Sequence, residues 1–197
     1  RIVEDAYDLY FSAKTIVRQA ICSVNRVTCF VQSRQKSDGM IFFRDGFAMI
    51  TGMELIASFQ IDHTRIQPGI YVSRVDSIGG DFATTFDVRM KRPNAEPAIH
   101  PNALHTIEHI VATFLRNDPV WKDRIVYWGP MGCLTGNYLI VKGRPSPQEI
   151  CPLVIAAFES LRDWEGEVPG ATAENCGNYL LHDLAMARYE AARLAET

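Results

Sequence analysis

The segment ALHTIEHIVATFLRN, residues 103–117, constrains the fold of this chain more than any other stretch. Its apolar residues recur at roughly helical spacing, and Pro101-Asn102 directly upstream is typical of a helix start. The segment is therefore predicted to form an amphipathic helix that buries one face in a core. The apolar residues at this spacing are Ile107, Ile110, Val111 and Leu115.

Two histidines lie four residues apart in this helix. Residues i and i+4 share one face of a helix, so His105 and His109 can present two imidazole nitrogens to one metal ion. Glu108 lies three residues from His105, where its carboxylate can serve a ligand bound at that ion without binding the ion itself. Two alternatives stay open: a surface helix with two incidental histidines, and an inverted zinc peptidase, whose motif has the same H-x-x-E-H spacing.

The composition of the 197-residue chain is that of an ordinary globular protein, with 47% hydrophobic and 22% charged residues. Its formal charge of -3 provides no basic surface for a nucleic-acid backbone. No uninterrupted apolar run approaches the roughly 20 residues needed to span a bilayer. Neither nucleic acid nor a membrane is therefore expected as a partner.

The five cysteines of the chain are an odd number, and no secretory signal pattern accompanies them. Both observations argue against a disulfide framework. A reducing cytoplasm fits better, and there unpaired cysteines tend to be buried, catalytic or metal-binding. Cys151 lies inside a predicted helix and is interpreted as a packing residue. Cys22 and Cys29 have no second ligand pair, so a zinc site is not expected there.

Residues 1–52 differ in character from the rest of the chain. They mix basic, apolar and polar residues without a sustained period, whereas an orderly pattern begins at Met53. We interpret residues 1–52 as an extension and Met53 as the candidate start of the folded domain, residues 53–197. A chain that begins at Met53 is expected to keep its stability, because little core would be lost.

Beyond Met53, alternating apolar and polar residues predict strands, and helical spacing predicts three helices. The second helix begins at Ser146, with Pro147 at its first position and Glu149 completing a capping box. Strands and helices do not alternate strictly, so we predict an α+β fold, a two-layer sandwich of an antiparallel β-sheet packed against helices. The predicted strands are residues 58–63, 84–90, 124–128 and 137–143, and the other two helices are residues 103–117 and 182–195.

A catalytic metal needs a third protein ligand and one open position. Cys176 is the best candidate, because it lies beside Gly177 in the turn-rich stretch ATAENCGNYLLHD, where a thiolate can approach a metal. His182 is the next candidate. A His, His, Cys set is softer than the usual set of metallopeptidases and suits Fe(II), Zn or Co. The alternative is that Cys176 is a small buried hydrophobe.

Cys133 lies between glycines in the turn PMGCLTG, at the end of a predicted strand. A tight glycine turn exposes backbone amides that favour a thiolate. The pKa of this thiol would fall further if the metal or Arg89 lay nearby, which would give a second acid/base group opposite Glu108. The alternative is an inert cysteine in a turn.

Three motifs follow one another in a specific order: H-T-x-E-H at residues 105–109, P-M-G-C-x-T-G at residues 130–136 and C-G-x-x-x-x-H at residues 176–182. With the shorter segments SFQIDHT, FDVR and RPN upstream, they resemble S-ribosylhomocysteine lyase, the LuxS family. The resemblance covers essentially all of residues 53–197, and residues 1–52 lie outside it.

The resemblance implies a metal site formed by His105, His109 and Cys176. In the family this site usually holds one Fe(II) per subunit, for which Zn or Co can substitute. The resemblance also implies that Glu108 and Cys133 are the general acid/base pair.

A homodimer with active sites at the subunit interface is implied as well. Ser58, His63 and Arg89 match family residues that contact substrate in the site of the neighbouring subunit. Before P-M-G-C the family commonly shows an aspartate and a serine, where this chain has Tyr127 and Gly129. This change lies close to Cys133 and bears on the pKa of its thiol. Ahead of RPN, Lys91 replaces what is often cysteine.

The implied activity is metal-dependent cleavage of S-ribosylhomocysteine by carbonyl migration and β-elimination. The products would be homocysteine and 4,5-dihydroxy-2,3-pentanedione, the precursor of autoinducer-2 in quorum sensing. Such a lyase is expected in the cytoplasm, in the activated methyl cycle. Two other classes remain: a small metallopeptidase-like hydrolase that uses the H-x-x-E-H site, and a non-catalytic adhesion or regulatory protein that keeps a metal only for structure.

Overall fold

The computed structural model describes the backbone of residues 18–23, 26–33 and 61–195, and the side chains of residues 61–194. The strands are β1 (Arg18–Ser23), β2 (Arg26–Ser33), β3 (Gly69–Ile78), β4 (Asp81–Arg89), β5 (Ile125–Pro130) and β6 (Gly136–Lys142). The α-helices are α1 (Pro101–Asn117), α2 (Pro147–Arg162) and α3 (Leu184–Ala195), and a 3-10 turn covers Lys122–Arg124.

Strands β1 and β2 form a two-stranded antiparallel sheet of their own, in which Arg18 pairs with Ser33. The sequence predicted no element here, because neither strand shows a sustained period of two. The division of the chain at Met53 stays a prediction.

The main sheet is antiparallel, with the strand order β3-β4-β6-β5. Gly79 and Gly80 connect β3 to β4 with φ angles of 56° and 89°. Positive φ at both central residues defines the tight turn whose twist matches that of a two-stranded hairpin. Strand β3 was not predicted from the sequence, because it runs from a fully buried start to an exposed end without alternating.

Strand β4 is central and is buried on both faces from Ala83 to Arg89. The prediction of a half-buried strand at residues 84–90 was therefore right about the strand and wrong about its outer face. Successive side chains of a strand point to opposite faces. Phe86 and Val88 belong to the hydrophobic core, so Asp87 and Arg89 point to the other face of the sheet. Strands β5 and β6 confirm the strands predicted at residues 124–128 and 137–143.

The three helices supply the second layer of the fold. Helix α1 buries the apolar face that was predicted for it, including Ile107, Ile110, Val111 and Leu115. Helix α2 begins at the predicted capping box, in which the Ser146 hydroxyl accepts a hydrogen bond from the Glu149 amide. These helices and the antiparallel sheet confirm the predicted α+β sandwich.

The strand predicted at residues 58–63 is wrong over its described part, since residues 61–65 form a bend and a turn. The Thr64 amide and hydroxyl both donate to the Asp62 carboxylate, which stabilises this turn instead of an extended strand. Ser58 and the rest of that prediction lie outside the described residues. Cys151 is buried in the core as expected, but it is disulfide-bonded, which the argument against a disulfide framework did not predict.

Within residues 61–195, none of the helices combines the length and hydrophobicity that a membrane span requires.

Candidate functional site

Four side chains that can bind a metal converge where the loop between α2 and α3 passes over α1. They are His105 and His109 from α1 and Cys176 and His182 from the loop, and we call them the metal cluster. Their candidate ligand atoms all lie within 4.8 Å of one another, and all four residues are half-buried. The structure thus brings together the three predicted ligands and the histidine named as the next candidate.

Backbone carbonyls fix the orientation of the two helical histidines. Nδ1 of His105 lies 2.7 Å from the Leu181 carbonyl oxygen, and Nδ1 of His109 lies 2.7 Å from that of Pro169. A carbonyl oxygen can only accept, so each Nδ1 carries the hydrogen and each Nε2 keeps its lone pair. This is the arrangement by which proteins orient histidines that bind a metal through Nε2. Gly170, with φ of 68°, forms the turn beside His109.

A local turn holds Cys176, whose amide donates to the Thr172 carbonyl at 2.9 Å. Its Sγ atom lies 3.5 Å from Nε2 of His105. A nitrogen and a sulfur bound to one tetrahedral ion at ordinary bond lengths would be about 3.6 Å apart. The separation therefore suits two ligands of the same ion.

A hydrogen bond with Thr106 on α1 positions His182 in the cluster. The Thr106 hydroxyl donates to the Asn102 carbonyl at 3.0 Å, accepts from the Asp183 amide at 2.9 Å and lies 3.2 Å from Nδ1 of His182. Burial, followed by the neighbouring His105 and His109, lowers the pKa of His182 below its ordinary value. The ring is therefore neutral near pH 7.

The donor set fits a single ion of intermediate softness. Two imidazole nitrogens and one thiolate suit Fe(II), Zn or Co better than Mg or Ca, which prefer oxygen. In both helical histidines the carbonyl partner of Nδ1 leaves Nε2 as the nitrogen that would bind the ion. Glu108 is half-buried on the same helix, one residue before His109.

A second group of side chains surrounds Cys133, the other cysteine that was predicted from the sequence to take part in the site. It consists of Asp87, Arg89, Cys133 and Thr135, and we call it the thiol cluster. Arg89 is 1% exposed and forms an ion pair with Asp87. The same guanidinium donates to the Thr135 hydroxyl at 2.6 Å and to Sγ of Cys133 at 3.6 Å. The arginine is thus held beside the thiol, which meets the condition under which the pKa of Cys133 was predicted to fall.

Cys133 is exposed and free, yet its surroundings favour the thiolate. Because the Thr135 hydroxyl accepts from Arg89, its own hydrogen is available to Sγ of Cys133, 3.0 Å away. Partial burial acts to raise the pKa of Cys133, but the hydrogen bonds from Thr135 and the charge of Arg89 outweigh it. The net result is a pKa below the ordinary value for cysteine.

Aromatic and basic residues enclose the ion pair of the thiol cluster. Tyr71 and Tyr138 stand opposite Asp87 on the two neighbouring strands. Burial, reinforced by Asp87, raises the pKa of Tyr71 to about 12. Burial also raises the pKa of Asp87, although Arg89 and His63 act to lower it. His63 therefore lies within electrostatic range of this cluster, to which Arg89, the other described residue predicted to contact substrate, itself belongs.

The sequence alone did not identify Asp87 or Thr135 as part of the site. The strand segment FDVR contains Asp87 two residues before Arg89, which places both side chains on one face of β4. That spacing was the available signal for an ion pair. Thr135 lies two residues beyond Cys133 in the P-M-G-C-x-T-G motif. Its role emerges only from the fold, which brings Arg89 against it.

Tyr127 and Gly129, the two residues that differ from the usual family pattern, depend on each other sterically. Both lie on edge strand β5, where a Cβ atom at Gly129 would clash with the hydroxyl end of the Tyr127 ring. The ring therefore occupies the space that a side chain at position 129 would fill. Neither residue is among those that set the pKa of Cys133.

The α+β sandwich thus carries a cluster of histidines and a cysteine that could hold a metal ion and, apart from it, a thiol whose pKa is lowered. The family model described as S-Ribosylhomocysteinase (LuxS) matches residues 56–197. The chain therefore belongs to the S-ribosylhomocysteinase (LuxS) family.

Similar proteins are each named S-ribosylhomocysteine lyase. The protein from Phocaeicola vulgatus is 60% identical over 141 residues, which cover 72% of this chain and 88% of the relative. One from Porphyromonas gingivalis is 59% identical over 141 residues, or 72% of this chain and 89% of the relative. One from Clostridium beijerinckii is 50% identical over 137 residues, or 70% of this chain and 86% of the relative.

Proposed function

We propose that this chain cleaves S-ribosylhomocysteine to homocysteine and 4,5-dihydroxy-2,3-pentanedione by carbonyl migration and β-elimination. The observation that carries the proposal is the convergence of the three predicted ligands in a chain whose residues 56–197 match the family model. The thioether bond of the substrate is not labile until a carbonyl stands two carbons away. The enzyme must therefore move protons between neighbouring carbons before the sulfur can leave.

His105, His109 and Cys176 would hold one Fe(II) per subunit, with Zn or Co as substitutes. When bound, such an ion polarises carbonyl and hydroxyl oxygens as a Lewis acid. No electron is transferred in an isomerisation or an elimination, so the softness of the donor set serves to retain the ion. The hydrogen bonds from both Nδ1 atoms to backbone carbonyl oxygens keep the two histidines in the tautomer that can bind the ion through Nε2.

Cys133 and Glu108 would carry the protons. The Sγ thiolate of Cys133, stabilised by Thr135 and Arg89, takes a proton from a carbon of the sugar. The Glu108 carboxyl exchanges protons with the neighbouring oxygen or carbon. In the last step a base removes the proton at C4, the C5–sulfur bond breaks, and homocysteine leaves as a thiolate.

One observation and one earlier prediction support a homodimer with shared active sites. Within one subunit, the thiol cluster lies on the face of β4 that points away from the helices, whereas the metal cluster lies in the helical layer. A second subunit would bring the clusters together. Ser58, His63 and Arg89 were predicted to serve the neighbouring subunit, and Cys133 must accompany Arg89 because the two are in contact.

We further propose that the reaction belongs to the activated methyl cycle in the cytoplasm, with a product that feeds autoinducer-2 and quorum sensing. Residues 53–197 would form the catalytic domain. These assignments rest on the family and on the substrate chemistry, which yields free homocysteine.

The function is tested by incubating the Fe(II)-loaded protein anaerobically with S-ribosylhomocysteine and, separately, with a peptide library. We expect free thiol from the first incubation and no cleavage in the second. Peptide cleavage without thiol release would instead identify a metallopeptidase. No activity on either, with full metal occupancy, would identify a protein that keeps its metal only for structure.

A further inference from the structure

His182 carries a polar atom that the proposed chemistry does not yet use. Its Nε2 is fully buried and, among the described residues, accepts no hydrogen bond. A buried polar atom without a partner costs free energy, so such an atom in a native structure calls for a partner that the chain itself does not provide. A ring nitrogen of His182 lies within 4.8 Å of the candidate ligand atoms of His105, His109 and Cys176.

The hydrogen-bond pattern fixes which ring nitrogen of His182 has the lone pair. The Thr106 hydroxyl has a single hydrogen, which it donates to the Asn102 carbonyl. It must therefore accept from Nδ1 of His182, 3.2 Å away. Nδ1 therefore carries the ring hydrogen, and Nε2 is the acceptor that is left without a partner.

Ring geometry argues against His182 as a ligand alongside His105. Their rings are stacked, with centroids 4.2 Å apart and an interplanar angle of 17°. An imidazole lone pair lies in the ring plane, so the lone pairs of two stacked rings lie in nearly parallel planes and do not meet at one ion. The ring planes of His105 and His109, in contrast, make an angle of 86°, which allows their lone pairs to converge.

We propose that His182 is a substrate-binding residue whose Nε2 accepts a hydrogen bond from a sugar hydroxyl that enters between the three metal ligands. The identity of that sugar rests on the proposed function. A hydroxyl beside a carbonyl is the chemical group that suits this place, because it can donate to Nε2 while the carbonyl faces the ligand atoms. The Thr106 hydroxyl, by accepting from Nδ1, makes Nε2 the acceptor of the ring. The Asp183 amide, directly before α3, donates to the same hydroxyl and keeps it in place.

Two substitutions of His182 distinguish the role of Nδ1 from the role of Nε2. His182→Asn places an amide near the position of Nδ1, so it can keep the bond to Thr106 but removes the acceptor at Nε2. His182→Gln reaches the position of Nε2 and can restore an acceptor there through its amide oxygen. Leu180→Ala is the matched control, since Leu180 is 77% exposed in the same loop.

The experiment loads each purified variant with Co(II) and records metal content, visible spectrum, and kcat and KM for homocysteine release. We expect full metal content and an unchanged resting spectrum in His182→Asn. We expect its kcat/KM to fall by roughly 10- to 100-fold, as for other residues that act beside a metal. The substrate concentration that changes the Co(II) spectrum should rise by a similar factor. His182→Gln should recover part of both losses, and Leu180→Ala should match wild type.

Two results would overturn the proposal. Loss of metal or a new resting spectrum in His182→Asn would make His182 a ligand. Wild-type kcat/KM and spectral response in His182→Asn, or no recovery in His182→Gln, would remove any binding role. Failure of the proposed function is seen separately, because the wild-type protein would then release no homocysteine.

Discussion

Replacing Glu190 by glutamine should destabilise the fold strongly, because it breaks a buried ion pair. Nζ of Lys91 lies 2.5 Å from the Glu190 carboxylate, and the two side chains are only 5% and 9% exposed. The pair joins the segment after β4 to α3, which begins directly after His182 and Asp183. Glu190→Gln keeps the volume of the side chain but leaves the Lys91 charge without its counter-charge.

Removing one partner of a buried ion pair typically costs about 3–5 kcal/mol, because the remaining charge stays desolvated. For a domain of this size, each kcal/mol lowers Tm by roughly 2–4 °C, which gives a decrease of about 6–20 °C. The free energy of unfolding is measured by urea denaturation, and Tm by calorimetry. Lys91→Met combined with Glu190→Leu should recover most of the loss, since an apolar pair needs no counter-charge.

The matched control is Asp81→Asn, which breaks the exposed pair between Asp81 and Lys142. Both of its side chains are 59% exposed, so solvent already screens the interaction. We expect Tm of this variant to equal that of wild type within error. If Glu190→Gln behaved like Asp81→Asn, the buried pair would contribute nothing and the reasoning from burial would be refuted.

Three further predictions concern the site. Alanine at His105, His109 or Cys176 should strip the ion and abolish turnover, and metal analysis of the purified variants checks this; full metal content in Cys176→Ala would exclude Cys176 as a ligand. The pH midpoint for alkylation of Cys133 by iodoacetamide should lie below that of an ordinary cysteine, since its pKa is lowered. Thr135→Val should raise that midpoint, because it removes a hydrogen bond to the thiolate; an unchanged midpoint would exclude this role of Thr135. Glu108→Gln and Cys133→Ala should keep their metal and lose turnover by about 10² to 10⁴, and near-normal homocysteine release from either would remove that residue from the mechanism.

Local signals explain the parts of this fold that the sequence predicted. The start of α2 follows from Ser146 and Glu149, which cap it within four residues. Helix α1 follows from the spacing of its apolar residues. Strand β3 was missed because its burial changes along its length, which depends on what packs over each end. The second buried face of β4 likewise depends on its central place in the sheet, which no short stretch encodes.

In the site, too, local sequence signals predicted some features, whereas others depend on contacts between distant parts of the chain. His105 and His109 were predictable because one turn of helix relates them. Cys176 is 71 residues from His105 in the chain, so its approach to 3.5 Å depends on the loop after α2. The lone pair of His182 depends on where the hydrogen of Thr106 points, which follows from contacts across the fold.

Mixed dimers reveal whether one active site is assembled from the metal cluster of one subunit and the thiol cluster of the other. Glu108→Gln and Cys133→Ala subunits with different affinity tags are co-expressed, and the mixed dimer is purified and assayed for homocysteine release. If the two residues of a site come from different subunits, one site of the mixed dimer is intact, and about half of the wild-type turnover is expected. If both came from the same subunit, every site would carry one defect, and turnover no higher than that of the two parent variants would contradict the claim.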